Sequence, residues 1–276
     1  MARDFRELLE TKWDEGKYLC VGLDTDLIKI PEAAQKDDTR QTMVAFNRAI
    51  IEATKDVVCA YKPNPAFYEA RGEEGYAALR ETIAYILDVA PDIPVILDAK
   101  RADILSTNEQ YALSAFEHLR ADAITVNPYL GVEPLKPFFE REERGVIVLC
   151  HTSNPGAKEL QHLVVDGGEA LYKYVARAAR ERWNGKGNCS LMVGATYPEE
   201  LGEVRTIVGD MPILVAGIGA QDGDLEKTIR AGLAPRNRGL IVNASRSIIF
   251  ASKGSDFAEV AGAHARDIHQ RIKKSL

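Results

Sequence analysis

Asp98, Lys100 and Asp103 follow directly on an apolar run, Val95 to Leu97, and acids interleaved with a base at this spacing can hold or move a proton. Side chains alternate faces along a strand, so Asp98 and Lys100 project from one side while Ala99 points away. A carboxylate and an ammonium group then lie side by side. An isolated pair of this kind reads as a surface ion pair closing a strand. Here the preceding residues are continuously apolar, as in a parallel strand covered on both faces. Charges at the carboxyl end of such a strand stand where α/β folds carry their chemistry. Just beyond, Ser106-Thr107-Asn108-Glu109 has the pattern of a capping box opening a helix.

The elements that must position these groups are legible as apolar runs. Eight strands are expected, at Tyr18–Leu23, Val57–Tyr61, Val95–Asp98, Ala123–Val126, Val146–Cys150, Ser190–Val193, Ile213–Ala216 and Leu240–Asn243. Amphipathic segments lie between or after them, among them Thr42–Thr54, Gly75–Ala90, Glu169–Trp183 and Asp256–Lys273, with apolar residues at three- and four-residue steps. Eight strand-helix repeats predict an α/β protein, a (β/α)8 TIM barrel, with an additional N-terminal helix at Phe5–Trp13. A doubly wound open sheet fits less well, because no G-x-G-x-x-G follows the first strand. No linker or shift of composition divides the chain, so residues 1–276 read as one domain.

Composition narrows the class. With 46% hydrophobic and 28% charged residues the chain reads as a globular protein, and it has no apolar run of the roughly 20 residues a bilayer requires. The amino terminus lacks a signal peptide's apolar core, so a cytoplasmic location and no membrane partner are expected. A net charge of −6 argues against nucleic acid as a partner while leaving room for a small anion bound locally. The four cysteines, Cys20, Cys59, Cys150 and Cys189, show no C-x-x-C spacing and read as core thiols; the five histidines show no paired ligand spacing, so no metal is expected.

In a barrel the carboxyl ends of all strands share one face. Polar residues gather there: Asp24, Lys62, Asp98 with Lys100, Asn127, His151 with Thr152 and Ser153, Thr196, Gln221, and Ser245 with Arg246. The opposite ends begin with turn or apolar residues. After the seventh strand, Gly217-Ile218-Gly219-Ala220-Gln221 can turn bare backbone amides toward an anion, and Arg246 after the eighth suits phosphate oxygens. Separately these read as a tight turn and a solvated arginine. Together, where barrels frequently bind phosphate, they point to a phosphorylated ligand.

Several phrases carry a resemblance: Gly22-Leu23-Asp24, Tyr61-Lys62-Pro63-Asn64-Pro65, Asp98-Ala99-Lys100-Arg101-Ala102-Asp103-Ile104, Thr107-Asn108, Asn127-Pro128-Tyr129-Leu130-Gly131, Thr152-Ser153-Asn154-Pro155-Gly156-Ala157, the Gly217–Gln221 loop and Ser245-Arg246-Ser247-Ile248. Over nearly its entire length the chain resembles the orotidine 5′-monophosphate decarboxylase family, in its longer bacterial and archaeal subgroup. The resemblance implies decarboxylation of orotidine 5′-monophosphate to uridine 5′-monophosphate, the last step of pyrimidine nucleotide synthesis, without metal or organic cofactor. It also implies a homodimer with shared sites. Lys62, Asp98 and Lys100 would act with Asp103 of a second copy, Lys100 stabilising and protonating the carbanion left at C6. Asp24 and Lys62 would bind ribose, Thr107 and Ile104 of the second copy would touch ribose and line the pyrimidine side, Ser153 would read the pyrimidine edge, and Gln221 and Arg246, with Ser245 beside them, would hold the phosphate end.

The sequence departs from that family at Ala216, where proline is frequent, and at Leu105, where glycine is common. Two other readings are weighed. A sugar-phosphate decarboxylase or aldolase of the same suprafamily uses magnesium held partly by an acid near strand two, whereas strand two here ends Lys62-Pro63-Asn64 and its first nearby acid is Glu69. A non-catalytic nucleotide-binding barrel would give no reason to assemble a buried Lys-Asp-Lys array, which costs desolvation energy.

Overall fold

The computed structural model describes residues 3–165, 167–217 and 225–276. Eight parallel strands form the centre: β1 Leu19–Leu23, β2 Val58–Pro63, β3 Ile96–Arg101, β4 Ala123–Val126, β5 Gly145–His151, β6 Cys189–Gly194, β7 Ile213–Ala216 and β8 Leu240–Ala244. Their order, β2-β1-β8-β7-β6-β5-β4-β3, is that of a barrel opened at one seam. A parallel bridge between Tyr61 and Val95 joins the two ends, with the Tyr61 N–H donating to Pro94 O at 3.0 Å. Side chains of β1, β2, β4, β6 and β8 are buried at every position, which is why these strands read as unbroken apolar runs rather than as alternating ones.

All eight expected strands are present; several begin one residue away from the expected start, and the larger differences fall at carboxyl ends. β2 continues past Tyr61 to Pro63, β3 past Asp98 to Arg101, and β5 past Cys150 to His151. Lys62 and His151 therefore belong to strands, not to the loops after them. Hydropathy drops where these polar residues begin, but the backbone ladder does not. Two further expectations are corrected. Glu169 opens no helix; with Ala170 it pairs against Val164–Val165 in a short antiparallel ladder, and the helix begins at Leu171. The capping box is absent as well. Helix Leu105–Ala112 is preceded by Ile104 without a side-chain cap, and Asn108 instead accepts from the Asp103 N–H at 3.0 Å and donates to Asp103 O and Pro134 O, each at 2.7 Å.

Helix Phe5–Asp14 buries Phe5, Leu9 and Trp13, spaced four apart, against the amino-terminal end of the barrel. Trp13 Nε1 donates to Leu240 O at 2.8 Å, and Gly145 at the start of β5 leaves room for the Phe5 ring, which a Cβ there would approach to 2.2 Å. This end of the barrel is polar too, but its groups are paired. Arg3 grips Asp122 with two bonds of 2.8 Å, Asp122 Oδ2 also accepts from the Val95 N–H at 2.8 Å, and buried Arg205 donates to the carbonyls of Gly209, Met211, Gly232 and Gly239. The expectation of an apolar or turn-forming amino-terminal rim is thus incomplete. Among the described residues no helix is long and apolar enough to cross a membrane.

Asp122 ties the leading segment to the residue at which the barrel closes. Asp122→Ala is expected to lower stability by about 2 kcal/mol, since it leaves the buried Val95 amide without its acceptor and takes the carboxylate from partly exposed Arg3. Urea unfolding measures this, and a loss below about 1 kcal/mol would reduce the contact to an ordinary surface ion pair.

Candidate active site

At the carboxyl end, β2 and β3 bring three charges into contact. Asp98 Oδ2 accepts from Lys62 Nζ and Asp98 Oδ1 from Lys100 Nζ, both at 2.6 Å. Strand alternation alone does not produce this contact. The β3–β4 register shifts between Leu97 and Arg101, and Lys100 sits in the left-handed region at φ 48°. A lysine pays about 1 kcal/mol or more for that conformation. Thr125 on β4 holds the bulge: its Oγ1 accepts from the Lys100 N–H and donates to Asp98 Oδ1, both at 2.9 Å. A lone threonine in an apolar strand carries no sequence signal of this role.

Burial decides which charge faces a ligand. The side chains of Lys62 and Asp98 are 3% and 4% exposed, that of Lys100 41%. Burial by itself would raise the Asp98 carboxyl, but the Lys62 and Lys100 ammonium groups outweigh it and hold the group well below the usual carboxylate range. Burial would likewise lower Lys62, and Asp98 followed by Asp24 reverses this, so the amine is held above its ordinary value. Asp98 therefore adds stability that is fully present above about pH 3.9 and is lost as pH falls toward its folded value. The Lys62 contribution is present below about pH 10.4 and lost as pH rises through its higher folded value.

The array forms one wall of a cavity of about 410 Å³ that Asp24, Ser153, Ser245 and Arg246 also line. Asn64, His151, Thr152, Asn154 and Asn243 join them there. Two glycines make room for this rim. A Cβ on Gly22 would fall 1.8 Å from Ser245 Oγ, and one on Gly194 would meet the Ser153 backbone nitrogen at 2.7 Å. Thr152 is engaged, exchanging hydrogen bonds of 2.8 Å with Gln161, while Asp24 Oδ1, Thr196 Oγ1, Asn243 Oδ1, Ser245 Oγ and Ser247 Oγ are buried without a partner among the described residues. Buried polar atoms are ordinarily paired, so those of Asp24, Asn243 and Ser245, which line the cavity, mark a surface suited to a polar ligand, whereas Thr196 and Ser247 lie off it.

Asp103, Ile104 and Thr107 do not line this cavity. They occupy the loop after β3 and the first turn of helix Leu105–Ala112, where Asp103 Oδ1 accepts from the Ile104 N–H at 2.7 Å and fully buried Asn108 fixes the backbone. Ile104, Leu105, Tyr129 and Leu130 are exposed on this side of the molecule, Ile104 by 61% and Tyr129 by 81%. Asn127, expected at the polar face, accepts from the Tyr129 N–H at 3.0 Å and lies off the cavity. Pro198 is the first residue of helix Pro198–Val208. Gln221 lies outside the described residues. The four cysteines are buried and free, and burial pushes the thiols of Cys20 and Cys189 up to about 12. His151 and His162, which no sequence spacing pairs, meet beside Glu200.

Parallel barrel, charged array and polar cavity at the carboxyl ends together define a (β/α)8-barrel enzyme for a small anionic substrate. Residues 17–260 match the Orotidine 5'-phosphate decarboxylase / HUMPS family, and the chain belongs to it. It is 49% identical over 269 residues to an orotidine 5'-phosphate decarboxylase of Cellvibrio japonicus, covering 97% of each chain. The solved Leishmania donovani OMP decarboxylase superposes with a TM-score of 0.82 at 39% identity, covering 97% of this chain and 99% of that one. Leishmania donovani UMP synthase gives 0.87 at 40% identity over 99% of this chain, which spans only 56% of that longer protein.

Lys62→Met removes one of the two cations that oppose burial at Asp98. The Asp98 carboxyl is expected to titrate at higher pH in this variant than in the native chain, followed by carbon-13 NMR of the carboxylate; coincident titrations would mean that Lys62 has no part in holding it ionised.

Proposed function

We propose that the chain decarboxylates orotidine 5′-monophosphate to uridine 5′-monophosphate. The observation that carries the reading is the Lys62–Asp98–Lys100 array, joined by contacts of 2.6 Å and set in the cavity wall with Lys100 its most exposed member. The bond from C6 to the carboxylate breaks, carbon dioxide leaves, and the electron pair stays on C6. Lys100 stabilises that developing charge and then delivers its proton to C6, and water reprotonates the amine. Asp98, kept ionised by the two lysines, repels the substrate carboxylate, and this repulsion falls as neutral carbon dioxide forms. The proton donor and the charge stabiliser are both protein groups, so the reading calls for no cofactor.

Remaining contacts follow from position. Asp24 and Lys62 take the ribose hydroxyls, Ser153 reads the pyrimidine edge, and Arg246 beside Ser245 receives the phosphate; Gln221, outside the described residues, is assigned to the same phosphate from the sequence alone. Binding energy from the phosphate, remote from C6, is then available to order the site. A second copy of the chain completes each cavity in this reading. Asp103, Ile104 and Thr107 lie off their own cavity, and exposed Ile104 and Leu105, with exposed Tyr129 and Leu130 after β4, supply apolar surface for a symmetric interface. Asp103 from the second copy then places another carboxylate near Lys100.

The sugar-phosphate branch of the family is less well supported. Its metal needs an acid at the end of β2, where this chain puts Lys62; the first nearby acid, Glu69, is paired to Arg101 at 2.5 Å and does not line the cavity.

Loss of the orotate absorbance in buffer containing chelator tests the reaction. The native chain is expected to turn over, and Lys100→Ala to lose at least about 10³-fold in rate while still binding a product analogue; a variant retaining most of its rate would remove Lys100 as proton donor. Mixing inactive Lys100→Ala and Asp103→Asn chains should restore part of the activity, because one hybrid site holds both intact groups. No recovery after verified subunit exchange would refute the shared site.

A further inference from the structure

At the edge of the cavity, which His151 itself lines, lies a cluster that the proposed reaction does not use. His151 ends β5, His162 follows helix Ala157–Gln161, and Glu200 stands in the first turn of helix Pro198–Val208. One donor atom of each lies within 4.8 Å of those of the other two. His151 is fully buried and the other two are half-buried. The two imidazoles meet nitrogen to nitrogen, Nε2 to Nε2 at 2.9 Å. A line that short holds one proton at most, so at least one ring directs a lone pair inward.

We infer that His151, His162 and Glu200 form a binding site for a divalent first-row transition metal of the zinc class, distinct from the decarboxylation machinery. Donors at 2.0–2.2 Å from a tetrahedral ion are spaced about 3.3 Å apart. The imidazole nitrogens are 2.9 Å apart and all three donors lie within 4.8 Å of one another, so small side-chain adjustments reach that spacing. Two imidazole nitrogens with one carboxylate oxygen favour zinc and its neighbours over magnesium or calcium, which require oxygen-rich shells. Three protein ligands leave a fourth position for water.

The surroundings hold the rings in place. Tyr172 and Tyr197 pack against His151 edge to face, with centroids 5.0 and 4.8 Å away and planes at 78°, and Tyr172 also lies 5.4 Å from His162. Aromatic packing, rather than a hydrogen bond at His151 Nδ1, sets the ring orientation among the described residues. Because its ligands come from β5, from the segment after it and from the helix after β6, a bound ion would clip the Ser153 loop to its neighbour. The site would therefore act on loop order, not on the chemistry at C6.

The full chain, freed of any affinity tag and stripped with chelator, provides the test. Zinc alone is titrated calorimetrically, and cobalt is added in parallel to follow visible ligand-field bands. One equivalent is expected to bind, to raise the melting temperature, and with cobalt to give the bands of a tetrahedral nitrogen-ligated ion. His162→Ala and Glu200→Gln should each weaken binding by at least about tenfold, the scale seen even for changes outside the ligand shell. Absence of stoichiometric binding to the folded native chain, or binding equally tight in both variants, would overturn the site. Turnover of the chelated protein is measured in the same preparation, so failure of metal binding is distinguishable from failure of the proposed reaction.

Discussion

A carboxylate held ionised in a nearly dry setting is the constraint around which the active end of this barrel is arranged. Alone, buried Asp98 would favour protonation; two ammonium groups at 2.6 Å reverse that preference. The reversal requires Lys62 to be buried as well, and Lys62 in turn keeps its charge only because Asp98 and Asp24 face it. Each charge is tolerable because the others are present, which makes the group a unit. β2 supplies one member and β3 the other two, so the closing seam of the barrel, at Tyr61 and Val95, lies under the array. Correct closure and correct charge placement are therefore one structural requirement.

The two ends of the barrel are both polar, and they differ in saturation. At the amino-terminal end Arg205 satisfies four carbonyls and Asp122 takes Arg3 and the Val95 amide; Asn188 donates to three carbonyls, with only its Oδ1 left over. At the carboxyl end, five buried oxygens from Asp24, Thr196, Asn243, Ser245 and Ser247 lack partners among the described residues. Polarity by itself thus does not locate function in this fold. Unused hydrogen-bonding capacity separates the two ends.

Much of the architecture was readable from residue order, because strands covered on both faces must be apolar throughout and the intervening helices amphipathic. The extent of the strands was less readable: Lys62 and His151 look like loop residues by hydropathy, although backbone pairing continues through them. The charged triplet was legible as a motif. Its geometry was not, since a lysine at φ 48° carries none of the glycine or asparagine signature that usually announces such a backbone. Thr125 carries no signal in the sequence because threonine is an ordinary strand former, and its bonds to Lys100 and Asp98 exist only once β4 lies beside β3. Asn108 has the spacing of a helix cap, while its contacts run back to Asp103 and across to Pro134. His151, His162 and Glu200 come from three elements, so no local spacing could pair them.

The left-handed backbone at Lys100 sets two local demands against each other at a single position. Glycine there would shed the strained conformation, but it would also strip buried Asp98 of one of the two cations that keep it ionised. Selection for heat resistance alone would therefore have little to gain at this codon, and the backbone strain persists because the carboxylate beside it needs the ammonium.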